Sequence, residues 1–362
     1  MKTSAKTSRS SILLLLASVC WGLGTVFSKQ LLQAAPPITL FATQLTTSVA
    51  FLWLVVGLRN VTNRIRPTPP TGWQPPLQPL WQPRGYTLRD KLRRATLGIL
   101  EPGLTYALGT IGLSLTTASN TALIAVTEPL AVILLAALIL REKITFARLC
   151  FVLMGCVGAV LVAGHSAFSL GEWSAATSHP QELLGNLLVF AGLCAAALCV
   201  VLTQRSISCA EPLTLTASQQ TASLIYVVLP LLVFAFFSQE ATTWGSISPM
   251  QWVLMGLSGI VQYALSFWLY WLGAKHTTAS VASLCFLLIP VFGVAGSLLF
   301  LGEQLSPLQI VGAALILAAV FNVSQQSQSD EPAPAKARRV ISQALFRSRT
   351  APQPSLDQPL TS

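Results

Sequence analysis

Residues 117–144 read TASNTALIAVTEPLAVILLAALILREKI, and residues 278–305 read TASVASLCFLLIPVFGVAGSLLFLGEQL. When these stretches are aligned without a gap, eight of their 28 positions are identical, one shared proline among them. A second pair matches in the same order: residues 37–48 (PITLFATQLTTS) share seven of twelve positions with residues 212–223 (PLTLTASQQTAS). The chain therefore contains an internal repeat of two copies.

The offset between the two copies is 161 residues in the first match and 175 in the second. The first copy thus carries about fourteen extra residues between its matched stretches. Internal repeats in an apolar chain are typical of secondary transporters, in which the substrate site lies between the copies.

The composition indicates a membrane protein. Charged residues make up 9% of the chain and hydrophobic residues 53%, with a mean hydropathy of +0.64, whereas about a quarter of a soluble domain is charged. A bilayer core about 30 Å thick needs about 20 apolar residues per helix. We predict an all-α integral membrane protein with ten transmembrane helices, arranged as two inverted five-helix repeats. The predicted spans are 11–33, 38–58, 95–114, 118–140, 146–164, 183–203, 213–237, 250–272, 278–300 and 306–323.

Basic residues mark one side of these spans. The net charge of +10 is distributed over alternate connections, which argues against a nucleic-acid partner. Of the 22 Lys and Arg residues, all except Lys29 fall on the side of the N-terminus. Because positively charged loops stay in the cytoplasm, both termini are predicted to be cytoplasmic. The turn at Glu142 then falls inside and the matching turn at Glu303 outside, as an odd number of spans per copy requires.

Segments at the ends and between the copies complete the predicted organisation. An apolar run that follows three basic residues, with Cys20 at a lipoprotein-like position, also resembles a signal peptide. Apolar residues continue beyond Cys20, so we expect an uncleaved helix. Residues 337–346 could form a basic amphipathic turn on the inner leaflet, or simply a solvated tail. The predicted segments are a cytoplasmic segment 1–10, a first repeat 11–164 with a Pro-rich cytoplasmic loop 60–91, an outer connection 165–182, a second repeat 183–323 and a disordered basic cytoplasmic tail 324–362.

The chain resembles the drug/metabolite transporter superfamily, in its EamA-type branch of ten-helix permeases. That resemblance implies two inverted five-helix bundles and the exchange or proton-coupled movement of small metabolites, often export. Family members frequently carry an Arg in the second span, where this chain has Gln44, so anion binding by that Arg is not carried over. The resemblance rests on Trp21-Gly22 with Lys29, on Thr278-Ala279-Ser280 and Pro290, on the run LLFLGEQLSPLQIVGAALILAAV from Leu298 to Val320, and on its counterpart around Pro129, Glu142 and Lys143.

Glu101 and Glu128 are the only acidic residues within the predicted spans, and a proline follows each. They lie fourteen and thirteen residues from the outer turn near Leu115, which at about 1.5 Å per residue places both roughly 20 Å below the outer surface. A charge at that depth costs at least about 2.5 kcal/mol, so each Glu faces a polar cavity or carries a proton. Such a pair could share a proton and exchange it for a cationic substrate, or bind an amine directly. The counterparts in the second copy are Gln262 and Ile289.

A structural role is the alternative for both glutamates. Pro102 and Pro129 remove hydrogen bonds from the carbonyls of Gly98 and Ala125, and a protonated Glu could fill each gap. Pro129 and Pro290 occupy equivalent places, and broken helices line the central site of many transporters, which makes both prolines candidates for helix breaks and gating. Prolines also occur in membrane helices for packing alone.

Aromatic and amide side chains within the spans are further candidates for the substrate pathway. Trp21 and Tyr106 could form aromatic walls, although lipid-facing or packing roles are the alternative. Gln44 and Gln262 could offer hydrogen bonds, since a mid-span amide facing lipid would be unsatisfied. Lys29 could meet an anionic substrate or extend to the membrane surface. Weaker candidates of the same kinds are Gln219, Tyr263 and Trp268.

The sequence contains no phosphate-binding glycine loop, no metal-ligand spacing and no nucleophile–base arrangement. We therefore expect no enzyme, no metal and no cofactor. Our interpretation is a permease of a bacterial inner membrane that moves a cationic or zwitterionic metabolite, such as an amino acid or amine, by alternating access. Proton coupling or exchange would drive it, with export favoured. The alternative is a non-transporting sensor or scaffold that acts through the Pro-rich loop and the basic tail. Expected partners are a small-molecule substrate, protons and lipid, and a homodimer is one option that the sequence leaves open.

Overall fold

The computed structural model describes residues 2–65, 88–115, 124–142, 144–163, 180–207, 210–237, 244–301 and 307–329. Across these residues the chain is helical and has no strand. The helices are α1 Lys2–Leu31, α2 Pro37–Ile65, α3 Leu88–Ala95, α4 Thr105–Leu115, α5 Glu128–Leu135, α6 Phe146–Ala163, α7 Pro180–Ile207, α8 Pro212–Ser223, α9 Leu229–Phe237, α10 Pro249–Gly259, α11 Ser266–Ala274, α12 Ala279–Ala282, α13 Cys285–Leu301 and α14 Pro307–Ser329. Turns of 3₁₀ or π geometry continue or join several of these helices, at Thr96–Ile99, Leu100–Leu104, Ala136–Leu140, Leu224–Val228 and Ile260–Leu265.

The helices confirm the predicted fold class, an all-helical membrane protein. The longest predicted spans are helices of membrane-crossing length in the structure. The predicted span 95–114 is instead interrupted between α3 and α4. The count of ten stays a prediction. Among the described residues, five helical stretches are long and apolar enough to cross a membrane: Ser10–Ser28, Pro37–Thr62, Leu183–Arg205, Pro212–Phe237 and Pro249–Ala274. Shorter apolar helices are Glu128–Leu140, Phe146–Leu161, Ala279–Gly293 and Ile310–Val323.

Local sequence explains where many helices start. Proline is favoured in the first turn because its missing N–H would have no partner there. Two of these starts have an additional side-chain cap: Glu211 accepts a hydrogen bond from the backbone N of Thr214 at 2.7 Å, and Ser248 forms a reciprocal capping box with Gln251. Helices that begin with proline are α2, α7, α8, α10 and α14.

Several helices run past the predicted boundaries. The helix α1 begins at Lys2, inside the predicted N-terminal segment, and α2 continues to Ile65, into the predicted Pro-rich loop. The rest of that loop before Leu88, and the predicted amphipathic turn at 337–346, lie outside the described residues. The chain divides into two units, Met1–Val323 and Ser324–Ser362. Of the second unit, only the residues up to Ser329 are described, and these are helical.

The two copies contact each other through two equivalent backbone crossings. A Cβ atom on Gly98 would lie 1.8 Å from the backbone O of Gln219, and one on Gly259 would lie 2.3 Å from that of Gln44. The two glycines are 161 residues apart and the two glutamines 175, which are the offsets of the sequence repeat. Only a residue without a side chain permits so close an approach. The repeat in sequence is therefore also a repeat in space.

Candidate functional site

The first interruption of a predicted span is at Glu101, between α3 and α4. Its backbone is extended (φ −142°, ψ 126°), and the proline that follows lacks a backbone donor. Neighbouring side chains bind the carbonyls around the break: Thr105 Oγ1 donates to Leu100 O at 2.9 Å, and Cys199 Sγ of α7 donates to Leu97 O at 3.4 Å. Because Thr105 and Cys199 donate to these carbonyls, the Glu101 carboxyl is not needed to bind them.

The second interruption precedes Glu128, which begins α5. A turn at Val126 and Thr127 separates it from the preceding helical residues, and Cys156 Sγ of α6 donates to Val126 O at 3.4 Å. The break thus lies just before Pro129, at the place the sequence indicated. Glu128 occupies the first turn of a helix, where the helix dipole favours negative charge.

The break expected at Pro290 lies elsewhere. Pro290 is inside α13, and the interruption of that span falls at Ser283 and Leu284, between α12 and α13. Ser283 Oγ donates to the carbonyl of Ser280 at 3.1 Å. A hydroxyl that binds the carbonyl of the preceding turn competes with the helix and bends it, so the serine marks the break that we assigned to the proline.

The structure places the two carboxyls within electrostatic range of each other, although Glu101 and Glu128 lie on different helices. Glu101 is 8% exposed and Glu128 is half-buried. Within the described part of the chain, neither carboxyl has a hydrogen-bond partner. A buried and a half-buried carboxyl without hydrogen-bond partners are most stable when a proton or a cation balances them.

An aromatic cluster lies beside these carboxyls. Its centre is Trp21, whose ring centroid is 5.0 Å from that of Phe267 and 5.6 Å from that of Tyr270. Tyr106, with its centroid 4.9 Å from that of Tyr263, interacts electrostatically with both carboxyls. Such separations are favourable for aromatic pairs. The members of the cluster are Trp21, Phe41, Tyr106, Tyr263, Phe267, Tyr270 and Phe286.

Most of this cluster escaped the sequence analysis. Tyr263, Phe267 and Tyr270 follow the spacing i, i+4, i+7, which places them on one face of α10–α11. That spacing was the available signal, but only Tyr263 was singled out. Trp268, a candidate from the same helix, instead packs against a separate apolar cluster that includes Leu52 and Leu213.

The two candidate amides form a network with serines. Gln44 Nε2 donates to Ser28 Oγ at 2.8 Å and to Ser258 Oγ at 2.9 Å. Ser28 Oγ in turn donates to Gln262 Oε1 at 2.6 Å. The network joins α1, α2 and α10 with its π-helical extension. These amides therefore bind helices to one another in this conformation.

The repeat-related positions hold an equivalent set of residues with one exchange. Gln219 Nε2 donates to Thr203 Oγ1 at 3.1 Å, and both residues are 175 positions from Gln44 and Ser28. Among these repeat-related residues, Glu101 occupies the position that corresponds to Gln262, 161 positions earlier. At this position, the second copy has the amide of Gln262 and the first copy has the carboxyl of Glu101.

One end of the helices, which we call the basic end, carries Arg59, Arg141 and Lys275 and is closed by polar contacts. The Glu142 carboxylate accepts hydrogen bonds from Ala279 N at 3.0 Å, Ser280 N at 3.4 Å and Ser280 Oγ at 2.5 Å. These bonds join the end of the fourth predicted span, in the first copy, to the start of the ninth predicted span, in the second copy. Further contacts at this end are Arg59 with Glu211, Lys275 with Ala210, Gln204 with Ala274 and Thr277, and Ser10 with Gly273.

Chemically, the site offers acid groups and aromatic faces. Carboxyls can bind protons or ammonium groups, and the faces of Trp and Tyr attract organic cations. Among the described residues, no group of three His, Cys, Asp or Glu side chains is placed to hold a metal ion. The side chains of Lys29 and Glu303 lie outside the described part of the chain.

Comparison with known proteins agrees with this architecture. The model of the EamA-like transporter family matches residues 8–164 and 183–325. The chain is 26% identical to the protein named Uncharacterized transporter sll0355 of Synechocystis sp. over 345 residues, 91% of this chain and 94% of that one. It is 26% identical over 199 residues to the riboflavin transporter ImpX of Fusobacterium nucleatum, 55% of this chain and 63% of that one. A crystal structure of another protein has a TM-score of 0.68 at 17% identity, over 90% of this chain and 99% of that one, and shows the same fold. The chain belongs to the EamA-like transporter family and is a membrane transporter.

Proposed function

We propose that this protein is a secondary transporter in which Glu101 and Glu128 bind, in turn, a proton and a cationic or zwitterionic metabolite such as an amine or an amino acid. The observation that carries the proposal is the pair of carboxyls that lie within electrostatic range of each other and have no hydrogen-bond partner among the described residues. A carboxyl in such surroundings is stable when it is protonated or paired with a cation. Alternation between these two states is an exchange of protons for substrate.

The aromatic cluster supports an organic rather than an inorganic cation. Ring faces contribute about 0.5–2 kcal/mol to the binding of a cation, and they offer an apolar surface to the rest of the molecule. A neutral planar metabolite is the second candidate, because Phe41 and Tyr106 are nearly parallel, with an interplanar angle of 18°, and because ImpX is named for riboflavin. That candidate would not depend on the two carboxyls.

Charge and exposure support an orientation and a direction. Positively charged loops stay in the cytoplasm, so the basic end and both termini would be cytoplasmic in a bacterial inner membrane. Thr25 is one turn beyond Trp21 on the same face of α1 and further from the basic end, and it is exposed. The conformation would therefore be closed to the cytoplasm and open outward. Protons entering from outside would displace the substrate, which is export.

The test is substrate-driven proton flux in proteoliposomes, with separate pools of amines, amino acids and organic acids, and with riboflavin as a neutral planar compound. We expect flux with an amine or amino-acid pool that is lost in Glu101→Gln and in Glu128→Gln. Glu211→Gln is the matched control, because Glu211 is a helix cap at the basic end, and it should retain flux.

Two other outcomes would reject parts of the proposal. Flux that survives both substitutions would show that the glutamates are structural, and riboflavin transport that survives them would favour the neutral planar metabolite. Removal of 324–362 separates transport from the scaffold alternative, since a permease keeps its flux without the tail.

A further inference from the structure

Tyr270 carries a buried polar group that the fold does not use. Its side chain is 1% exposed, and its hydroxyl has no hydrogen-bond partner in the part of the chain that the structure describes. Buried tyrosine hydroxyls normally have a partner, because an unpaired polar group in an apolar interior is destabilising. A phenylalanine would fill the same space without that penalty. The unpaired hydroxyl therefore suggests a hydrogen-bond partner that is not part of the protein.

The position of Tyr270 indicates where that partner would be. Its ring belongs to the aromatic cluster, with centroids 5.6 Å from Trp21 and 5.2 Å from Phe286. The hydroxyl interacts electrostatically with both Glu101 and Glu128. A molecule bound by the two carboxyls would therefore lie within electrostatic range of this hydroxyl and beside the aromatic cluster.

The three groups match the donors of a protonated amine. A primary ammonium has three N–H donors and no acceptor. The two carboxyls and the phenolic oxygen are three separate acceptors, while the ring faces are suited to the apolar body of the molecule. A quaternary ammonium has the same charge but no N–H, so it would leave the phenolic oxygen unpaired.

We propose that the Tyr270 hydroxyl accepts a hydrogen bond from the ammonium group of the substrate, so that the site selects amines with at least one N–H over quaternary ammonium ions. This inference rests on the proposed function, since it places the substrate's positive charge at Glu101 and Glu128. It adds a specificity residue and narrows the substrate class to protonated amines with an apolar or aromatic body.

The experiment measures binding of three probes to the purified full-length protein: phenethylamine, N,N-dimethylphenethylamine and N,N,N-trimethylphenethylammonium. These probes share one body and one charge and differ in their number of N–H groups. We expect the wild type to bind the primary amine at least about tenfold more tightly than the quaternary ion, as one hydrogen bond to a charged group allows. Tyr270→Phe should weaken the primary amine by about the same factor and leave the quaternary ion unchanged. The matched control is Tyr226→Phe, because Tyr226 is 62% exposed and should change neither affinity.

Each other result overturns the inference in a recognisable way. If Tyr270→Phe weakens all three probes equally, the tyrosine only shapes the site. If it changes none of them while Glu128→Gln abolishes binding, the proposed function stands and the role of Tyr270 is wrong. If no probe binds the wild type, the inference is overturned, while the proposed function is judged by the proton-flux assay. If the probes bind and Glu128→Gln does not change their binding, the proposed function fails as well. Equal wild-type affinities for the three probes would refute the proposed selectivity for amines with an N–H. This measurement needs no variant, so the inference can be refuted even if Tyr270→Phe folds poorly.

Discussion

Replacement of Glu142 by alanine should open the basic end of the transporter. Its carboxylate is the acceptor of hydrogen bonds from Ala279 and Ser280, at 3.0 Å and 3.4 Å from the backbone N atoms and 2.5 Å from the serine hydroxyl. It joins the two copies, and alternating access requires this end to separate from time to time. The variant removes this acceptor, so that the start of α12 keeps only its Thr278 side-chain cap, which accepts a hydrogen bond from Val281 N at 3.4 Å.

The size of the effect follows from these contacts. One hydrogen bond to a charged group contributes about 1.5–3 kcal/mol, and loss of a helix cap costs about 0.5–2 kcal/mol. Because Glu142 is only half-buried, we take about 2 kcal/mol for the whole set, which lowers the ratio of closed to open molecules about 30-fold. A protein that is closed about 99% of the time would then be open for roughly a quarter of it.

Cys285 is a natural reporter of this opening. It is 3% exposed and begins α13, one turn beyond the residues that Glu142 binds. The other six cysteines would be replaced, and a charged thiol reagent would be applied to the basic end in vesicles of known orientation. The modification rate should follow the open fraction and rise about twentyfold in Glu142→Ala.

Glu211→Ala is the matched control. Glu211 is also a carboxylate cap at the basic end, where it binds Thr214 of its own helix. Its contact with α2 is an ion pair with the partly exposed Arg59, and such pairs contribute little to stability. We expect it to lower thermal stability without changing the modification of Cys285. A rate in Glu142→Ala equal to the wild type would refute the reasoning, and so would an equal rise in Glu211→Ala, because general loosening would then explain both.

Two further predictions concern packing and the amide network, and both are measured as thermal unfolding in detergent. Gly98→Ala places a methyl group 1.8 Å from Gln219 O, where ordinary contacts begin at 3.4 Å, and should cost at least about 1–3 kcal/mol. Gly57→Ala, whose new Cβ meets nothing within 4 Å, should melt like the wild type; equal melting of both variants would argue against the close crossing. Ser28→Ala removes the hydroxyl bound to Gln262 Oε1 and should cost about 1–3 kcal/mol, so an unchanged melting temperature would mean that this bond contributes nothing.

Much of the fold could be predicted because a bilayer imposes strong rules on sequence. Apolar length predicts spans, since every backbone group must be satisfied within a helix. The repeat offsets of 161 and 175 residues also relate Gly98 to Gly259 and Gln44 to Gln219, which meet in space. The location of a helix break was less predictable, because a proline such as Pro290 can remain inside a helix.

The sequence by itself determined the membrane location of the helices and the two copies, and it predicted a common depth for Glu101 and Glu128. Depth follows from residue count, because a helix rises by a constant amount per residue. Tertiary structure alone decided which way each side chain faces. Membrane helices are apolar on all sides, so their periodicity does not distinguish the lipid face from the interior. Only the packed helices could show that two carboxyls and a cluster of aromatic rings lie within electrostatic range of one another, together with a Tyr270 hydroxyl that has no partner among the described residues.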